Sequence, residues 1–444
     1  MKKILIAILS LFVFVLNADA RVSKDTFSNL IVQSGIDKSS VSVSIKDLNS
    51  GKVMYKLNEN ILMHPASVQK ILTLPPAIEV LGEDYEFRTV IYSRGDDGYV
   101  IKLGADPYLS ASDLRRLVKN INKSTVKKIF IDDSIIEKKD WGEGWQWDDD
   151  LNTSMPHFNA YNLDKNIIKV TVMPDETGKS VIVINPSKYP VVFINNVQIA
   201  DKTNVKVSRD SSVAVDALAL DGTVSKPATL YVPTKDLKGY FYFKLTQALA
   251  DKNIYLKLPF AESKLNSDDI FIEELVHPVS RAVYDILKNS NNLVIETVMK
   301  LAAEKKYGER GTDVNGIRLF NDFCEKRGID NSRIRLVDAS GVSKNNLVDT
   351  DFVTEFLVKN QDNPILNRMS KPGEGSLTER MLPLKDVLRA KTGTLSDISS
   401  IAGFVTSQKG KRYAFCIIIN DPKSSNSEKK LLEDYLIREL YIKG

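Results

Sequence analysis

A change of texture along the chain constrains the fold more than any single residue. Residues 41–57, "VSVSIKDLNSGKVMYKL", alternate apolar and polar positions about an Asn49-Ser50-Gly51 turn. This is a hairpin pattern, with Val41, Val43 and Ile45 on one face and Ser42, Ser44 and Lys46 on the other. From 76 to about 270 the chain breaks into short β-like runs: "EFRTVIYS", "YVIKLG", "KKIFIDD", "NIIKVTVMP", "SVIVIN", "YPVVFINN", "ATLYVP" and "GYFYFKL". Helical periodicity returns from about 275 in "SRAVYDILKNSNNLVIETVMKLAAEKKYG", "IRLFNDFCEKRG" and "TDFVTEFLVKN". Then "DVLRAKTGT", "SSIAGFVTS" and "KRYAFCIIIN" read as three strands, and "SEKKLLEDYLIRELYIKG" as a last amphipathic helix. A hairpin at one end and three strands at the other can close one antiparallel sheet with helices packed on it. The fold class expected is therefore α+β, with the β-rich middle inserted.

The 444 residues carry 61 basic and 57 acidic side chains, a near balance that supplies no basic footprint for nucleic acid. The start, "MKKILIAILSLFVFVLNADA", reads as a secretory signal: Lys2 and Lys3, an apolar core from Ile4 to Leu16, and small residues Ala18 and Ala20 for cleavage. Its core is shorter than the roughly 20 residues a spanning helix needs, so an exported mature protein is expected, periplasmic or on the cell-wall face. Peripheral membrane contact is left open. Cys324 and Cys416 sit in apolar settings, and their pairing is left open too. His64, His157 and His277 have no metal-ligand spacing and leave little room for a histidine-based triad.

Ser67 and Lys70 stand three apart in "MHPASVQKILTLPP". That spacing alone decides nothing: it recurs at Ser124/Lys127 and Ser427/Lys430, and a serine before an apolar run is the usual helix N-cap. Two further clusters add weight, Ser343-Lys344-Asn345 in "DASGVSKNN" and Lys391-Thr392-Gly393 in "RAKTGTLS". The order S-x-x-K, S-x-N, K-T-G marks penicillin-interacting serine enzymes. With these motifs and with "LGADPYL", "IDDSII", "NSNNLVIE" and "GEGSLTER", the chain resembles the D-alanyl-D-alanine carboxypeptidase/endopeptidase family, the class C low-molecular-mass penicillin-binding proteins. The resemblance implies a penicillin-binding/β-lactamase-like transpeptidase domain over 21–75 and 271–444. It also implies an inserted domain over 76–165 and 231–270, and a β-rich domain nested at 166–230.

A serine hydroxyl needs a base, and Lys70, one helical turn on, shares its face. Holding a lysine neutral at pH 7 costs about 4–5 kcal/mol from its ordinary pKa, which burial and a second cation such as Lys391 can lower. The resemblance implies the remaining roles. Ser343 would relay a proton to the leaving D-alanine, Asn345 would hold Lys70 and a substrate amide, and Lys391 and Thr392 would bind the terminal carboxylate. Gly393 would leave room for substrate, and the Ser67 and Thr394 N–H groups would form the oxyanion hole. Peptidoglycan stem peptides and inhibitory β-lactams are the implied partners, with no metal or organic cofactor.

The three tryptophans fall in "DWGEGWQWDDD", either a loop pinned by its aromatics or, on the resemblance, one leaning over the site. Asp148 or Asp149 would then meet the amino group of the stem peptide's diamino acid, and Arg380 and Ser396 would bind elsewhere on the same side chain; for Arg380 a structural ion pair is the alternative. Ala339 replaces a usual glycine and Ser376 a threonine. Pro75-Pro76 should kink or stop the nucleophile helix. A β-lactamase or esterase on the same core, or a silent wall-binding protein, are the competing functions.

Overall fold

The computed structural model describes residues 24–444; the expected signal at 1–20 lies outside them. A five-stranded antiparallel sheet runs in the order Leu388–Thr394, Ile398–Thr406, Arg412–Asn420, Val41–Asp47, Val53–Leu57. The two ends of the chain meet in its middle, where Val43 pairs with Ile417 and Ile45 with Phe415. On one face Phe27 and Ile31 from the Lys24–Gln33 helix, with Leu432, Leu436, Ile437 and Leu440 from the Asn426–Lys443 helix, bury Val41, Val43 and Ile45.

The other face is not solvated, although its residues are polar. Ser42 and Ser44 are fully buried beneath the Thr350–Lys359 helix, and their hydroxyls lie 2.8 Å from Thr350 Oγ1 and 2.7 Å from Thr354 Oγ1. The serine alternation thus marks a second packed layer, satisfied by hydrogen bonds across it.

The middle of the chain folds around a second sheet, ordered Ala261–Glu262, Ile129–Asp132, Tyr99–Lys102, Glu86–Ser93, Ile270–Pro278. Besides a two-stranded pairing of Thr125–Val126 with Tyr255–Leu256, two smaller sheets follow. One joins Ala228–Pro233, Ile167–Pro174 and Val181–Ile184; the other gathers four strands between Val192 and Val224. Of the β-like runs, "GYFYFKL" is the exception: it lies in the helix Leu237–Asp251. Its aromatics favour strands locally. The helix wins because Tyr240, Phe241, Leu245, Ala248 and Leu249 share a buried stripe, and Asp236 caps the start by accepting from the Gly239 N–H at 2.8 Å.

Of the two outcomes expected at the prolines, the stop does not occur. The helix Lys70–Leu81 runs through Pro75 and Pro76 without stopping. Every residue from Lys70 to Ile78 is buried, packed against the helices Asn292–Tyr307 and Asp313–Lys326. Several side chains, each contributing about 1.5–3 kcal/mol by burial, outweigh roughly 3 kcal/mol for a helix-interior proline. The expected boundary at 75/76 therefore cuts this helix, and that at 270/271 cuts the strand Ile270–Pro278. Cys324 and Cys416 are buried free thiols. No helix among the described residues is long and apolar enough to cross a membrane. Replacing the cap by Asp236→Ala should lower unfolding free energy by about 1 kcal/mol in urea denaturation.

Candidate active site

Ser67 sits in a tight turn, Ala66–Gln69, that feeds directly into the Lys70–Leu81 helix. It is not the N-cap: Pro65 and Gln69 hold the cap positions, and neither makes a side-chain cap bond. Ala66 has left-handed backbone, φ 47°, a strained geometry that packing must hold. The next strand over supplies that hold, because Ser400 Oγ donates to Pro65 O at 2.6 Å.

Lys70 is fully buried, and its Nζ lies 2.8 Å from Ser67 Oγ, 2.6 Å from Asn292 Oδ1 and 2.8 Å from Ser340 O. Burial pushes its pKa down to about 7, against the upward pull of Asp338 and Glu296. The partners suit the neutral amine. A carbonyl and an amide oxygen take its two N–H groups, leaving the lone pair for the hydroxyl proton of Ser67. The Asn292 orientation is fixed from its other side, where Nδ2 donates to Ser154 O at 2.8 Å.

Lys391 is fully buried in the Leu388–Thr394 strand, with Nζ 2.9 Å from Ser290 Oγ and 2.8 Å from Thr392 O. Burial, then repulsion from Lys70, holds its pKa well below the usual lysine range. Thr392 is buried beside it and donates its hydroxyl to Ser376. Gly393 is required by close approach: a Cβ there would sit 2.8 Å from the Ser67 backbone nitrogen and 2.4 Å from Ser400 Oγ. Thr394 and Ser396 are exposed where the strand turns into its neighbour.

The second motif needs correction. Ser343 and Asn345 are not among the hydrogen-bond partners of Lys70 or Lys391. The groups that do are Ser290 and Asn292, from "NSNN", which has the same S-x-N spacing. Ser343 instead belongs to a turn wound around Asp338. Its N–H donates to Asp338 Oδ2 at 2.7 Å, and its hydroxyl accepts from the Asn345 N–H at 3.2 Å. The Asn345 side chain is exposed, and Asn346 Nδ2 donates to Asp338 Oδ1 at 2.8 Å. The turn still serves the site, because Ser340 O from this segment receives Lys70. Glu296, one helical turn after Asn292, accepts from the Ala339 and Ser340 N–H groups and so fixes that carbonyl. Burial and the nearby Asp338 push the Glu296 carboxyl up to about 8.

The tryptophan loop does lean over this turn. Trp145 is buried and donates Nε1 to Asp338 Oδ2 at 2.9 Å, Trp141 packs 5.1 Å from it, and Trp147 at the tip is 86% exposed. Gly144 lies so close that a Cβ would fall 2.4 Å from Ser343 Oγ. Asp148 is exposed and Asp149 half-buried, its carboxyl raised by burial and by Asp148. Arg380 is elsewhere engaged. Its guanidinium donates to Asp434 at 2.6 Å and Glu433 at 2.8 Å on the C-terminal helix, the ion-pair alternative rather than the substrate contact.

Residues 24–438 match the D-Ala-D-Ala carboxypeptidase 3 (S13) family, and the chain belongs to it. It is 25% identical to D-alanyl-D-alanine carboxypeptidase DacB of Haemophilus influenzae, over 94% of this chain and 95% of that one. A D-alanyl-D-alanine carboxypeptidase of Actinomadura sp. (strain R39) is 25% identical over 85% of this chain and 77% of its own length. The fold matches the crystal structure of penicillin binding protein 4 (dacB) from Haemophilus influenzae, with TM-score 0.82 and 22% identity over 94% of this chain and 99% of that one. The α+β architecture is thus that of penicillin-binding protein 4.

The geometry separates the two S-x-N triplets. Asn292→Ala, which strips an acceptor from Lys70, should slow acylation by a fluorescent penicillin roughly 100-fold, read in stopped-flow labelling. Asn345→Ala should slow it less than about threefold.

Proposed function

We propose that this S13-family enzyme is an exported serine D-alanyl-D-alanine carboxypeptidase/endopeptidase of peptidoglycan stem peptides, inhibited covalently by β-lactams. The observation that carries this reading is the 2.8 Å contact between Ser67 Oγ and a buried lysine amine that titrates near neutrality. The Lys70 lone pair takes the Ser67 proton as Oγ attacks the carbonyl of the penultimate D-alanine. The oxyanion that forms is met by the Ser67 and Thr394 N–H groups. Lys391 and Thr392 hold the terminal carboxylate, and Asn292 orients both Lys70 and the substrate amide. As the C–N bond breaks, the proton held by Lys70 ends on the leaving nitrogen, with the Ser290 hydroxyl as relay. Water then hydrolyses the Ser67 ester, and Lys70 serves again as base.

Export rests on the N-terminal pattern, with cleavage near Ala20, and places the enzyme on the wall side of the membrane. Asp148 and Asp149 of the tryptophan loop and Ser396 of the strand turn are the groups offered to the stem peptide's diamino acid.

A fluorescent penicillin should label the wild type stably and Ser67→Ala not at all. The acylation rate should rise with pH through about 7 and level off above it, because only the neutral form of Lys70 accepts the proton. Mass analysis of digested stem peptides should show loss of one terminal alanine or cleavage of the D-alanyl cross-link. Rapid release of the label would point to a β-lactamase, and no labelling to a silent binding protein.

A further inference from the structure

A cavity of about 190 Å³ is lined on one wall by Ser290 and Asn292, and Ser67 is not among its lining residues. Tyr108, Ser154, Asn289 and Lys165 complete the walls that matter here. Asn292 Nδ2 donates to Ser154 O, so the wall and the residue holding Lys70 are one hydrogen-bonded unit.

Lys165 is displayed by an unusual piece of backbone. Asp164, Lys165 and Asn166 are all left-handed, with φ of 51°, 60° and 59°. Non-glycine residues adopt that region rarely, and three in succession persist only where the surroundings over-determine them. Here they do. Asp164 accepts from the Ala111 N–H at 3.0 Å and from the Tyr240 hydroxyl at 2.9 Å. Asn166 is buried, donating to His157 O and to Asn162 Oδ1, each at 2.8 Å. Between these two anchors the Lys165 ammonium has no hydrogen-bond or ion-pair partner among the described residues.

No carboxylate lines the cavity: Asp164 turns to the Ala111 N–H and the Tyr240 hydroxyl, and Asp285 to Asn289 Nδ2 at 2.8 Å. The Arg281 guanidinium stacks 4.0 Å over the Tyr108 ring, adding positive charge behind that wall.

We propose that the cavity between Ser290 and Lys165 is a leaving-side subsite for an acidic peptide, with Lys165 pairing to a carboxylate of the strand released from a cross-link. This rests on the reading of Ser290 as the relay to the leaving nitrogen. A carboxypeptidase turnover releases one alanine, which ends at Lys391 and Thr392. An endopeptidase turnover releases a whole second peptide bearing further carboxylates, and that peptide needs space and positive charge beyond Ser290. Strained backbone held to present one unpaired cation beside the relay fits the second substrate. Lys165 is thus a specificity residue favouring cross-linked over monomeric peptide.

The test compares kcat/KM for a purified cross-linked dimer with that for a monomeric pentapeptide, in wild type, Lys165→Ala, Lys165→Glu and Lys165→Arg. The dimer-to-monomer ratio should fall about threefold in Lys165→Ala and about tenfold in Lys165→Glu, while Lys165→Arg keeps the wild-type ratio. A dimer amidated at its free carboxylates other than the one beside the scissile bond should show no dependence on residue 165. Unchanged ratios in all variants, or equal loss on both substrates, would overturn the proposal while leaving the peptidase reading intact. A wild type that cleaves neither substrate would overturn both.

Discussion

Almost everything in the site follows from one buried amine. Lys70 is enclosed without a carboxylate in contact; its three neighbours are a hydroxyl, an amide oxygen and a backbone carbonyl. An ammonium in that place would be poorly solvated, so burial favours the neutral base. The acidic groups nearby, Asp338 and Glu296, act in the opposite sense and stop the shift from going further. They are kept one layer back, each occupied by backbone N–H groups of the segment that supplies Ser340 O. A base poised near neutrality comes from these opposed effects.

That balance needs three distant stretches of chain held in register. The helix from Lys70 carries the base, the helix from Asn292 carries its amide partner, and the turn around Asp338 carries the carbonyl. Asp338 ties the turn to the helix of the base, accepting from Gln69, from the Gly341 and Ser343 N–H groups, and from Trp145 of the inserted region. Glu296 ties the same turn to the Asn292 helix through the Ala339 and Ser340 N–H groups. The sheet does the rest, pressing the Lys391 strand against the nucleophile turn so closely that only glycine fits at 393.

Much of this was legible in the sequence, and the failures have physical causes. Strict alternation and the three closing strands read correctly because period-two patterns survive burial on both faces, as Ser42 and Ser44 show. "GYFYFKL" misled because aromatic β-propensity is weaker than a buried helical stripe with a cap at Asp236. Pro75-Pro76 does not stop its helix because burial of the neighbouring side chains, invisible in a local pattern, outweighs the local cost. The S-x-N motif is ambiguous in the sequence, since two triplets with one spacing stand in the chain. The discriminating signal lies beside the triplet. Ser290-Asn291-Asn292 is followed at once by a long apolar-periodic run, which puts Asn291 at the N-cap and Asn292 at the head of a buried helix aimed at the site. Ser343-Lys344-Asn345 heads no such run and stays in a turn. For Arg380, sequence alone could not reveal that Glu433 and Asp434 lie across from it.

The claim beneath the whole account is that the Lys70 amine is largely neutral at the pH of the reaction. Carbon-13 labelling of the lysine ε-carbons, with the Lys70 resonance assigned by its loss in Lys70→Arg, allows direct titration by NMR. The account predicts a midpoint near 7 for this residue. A midpoint within about one unit of the ordinary lysine value would contradict it.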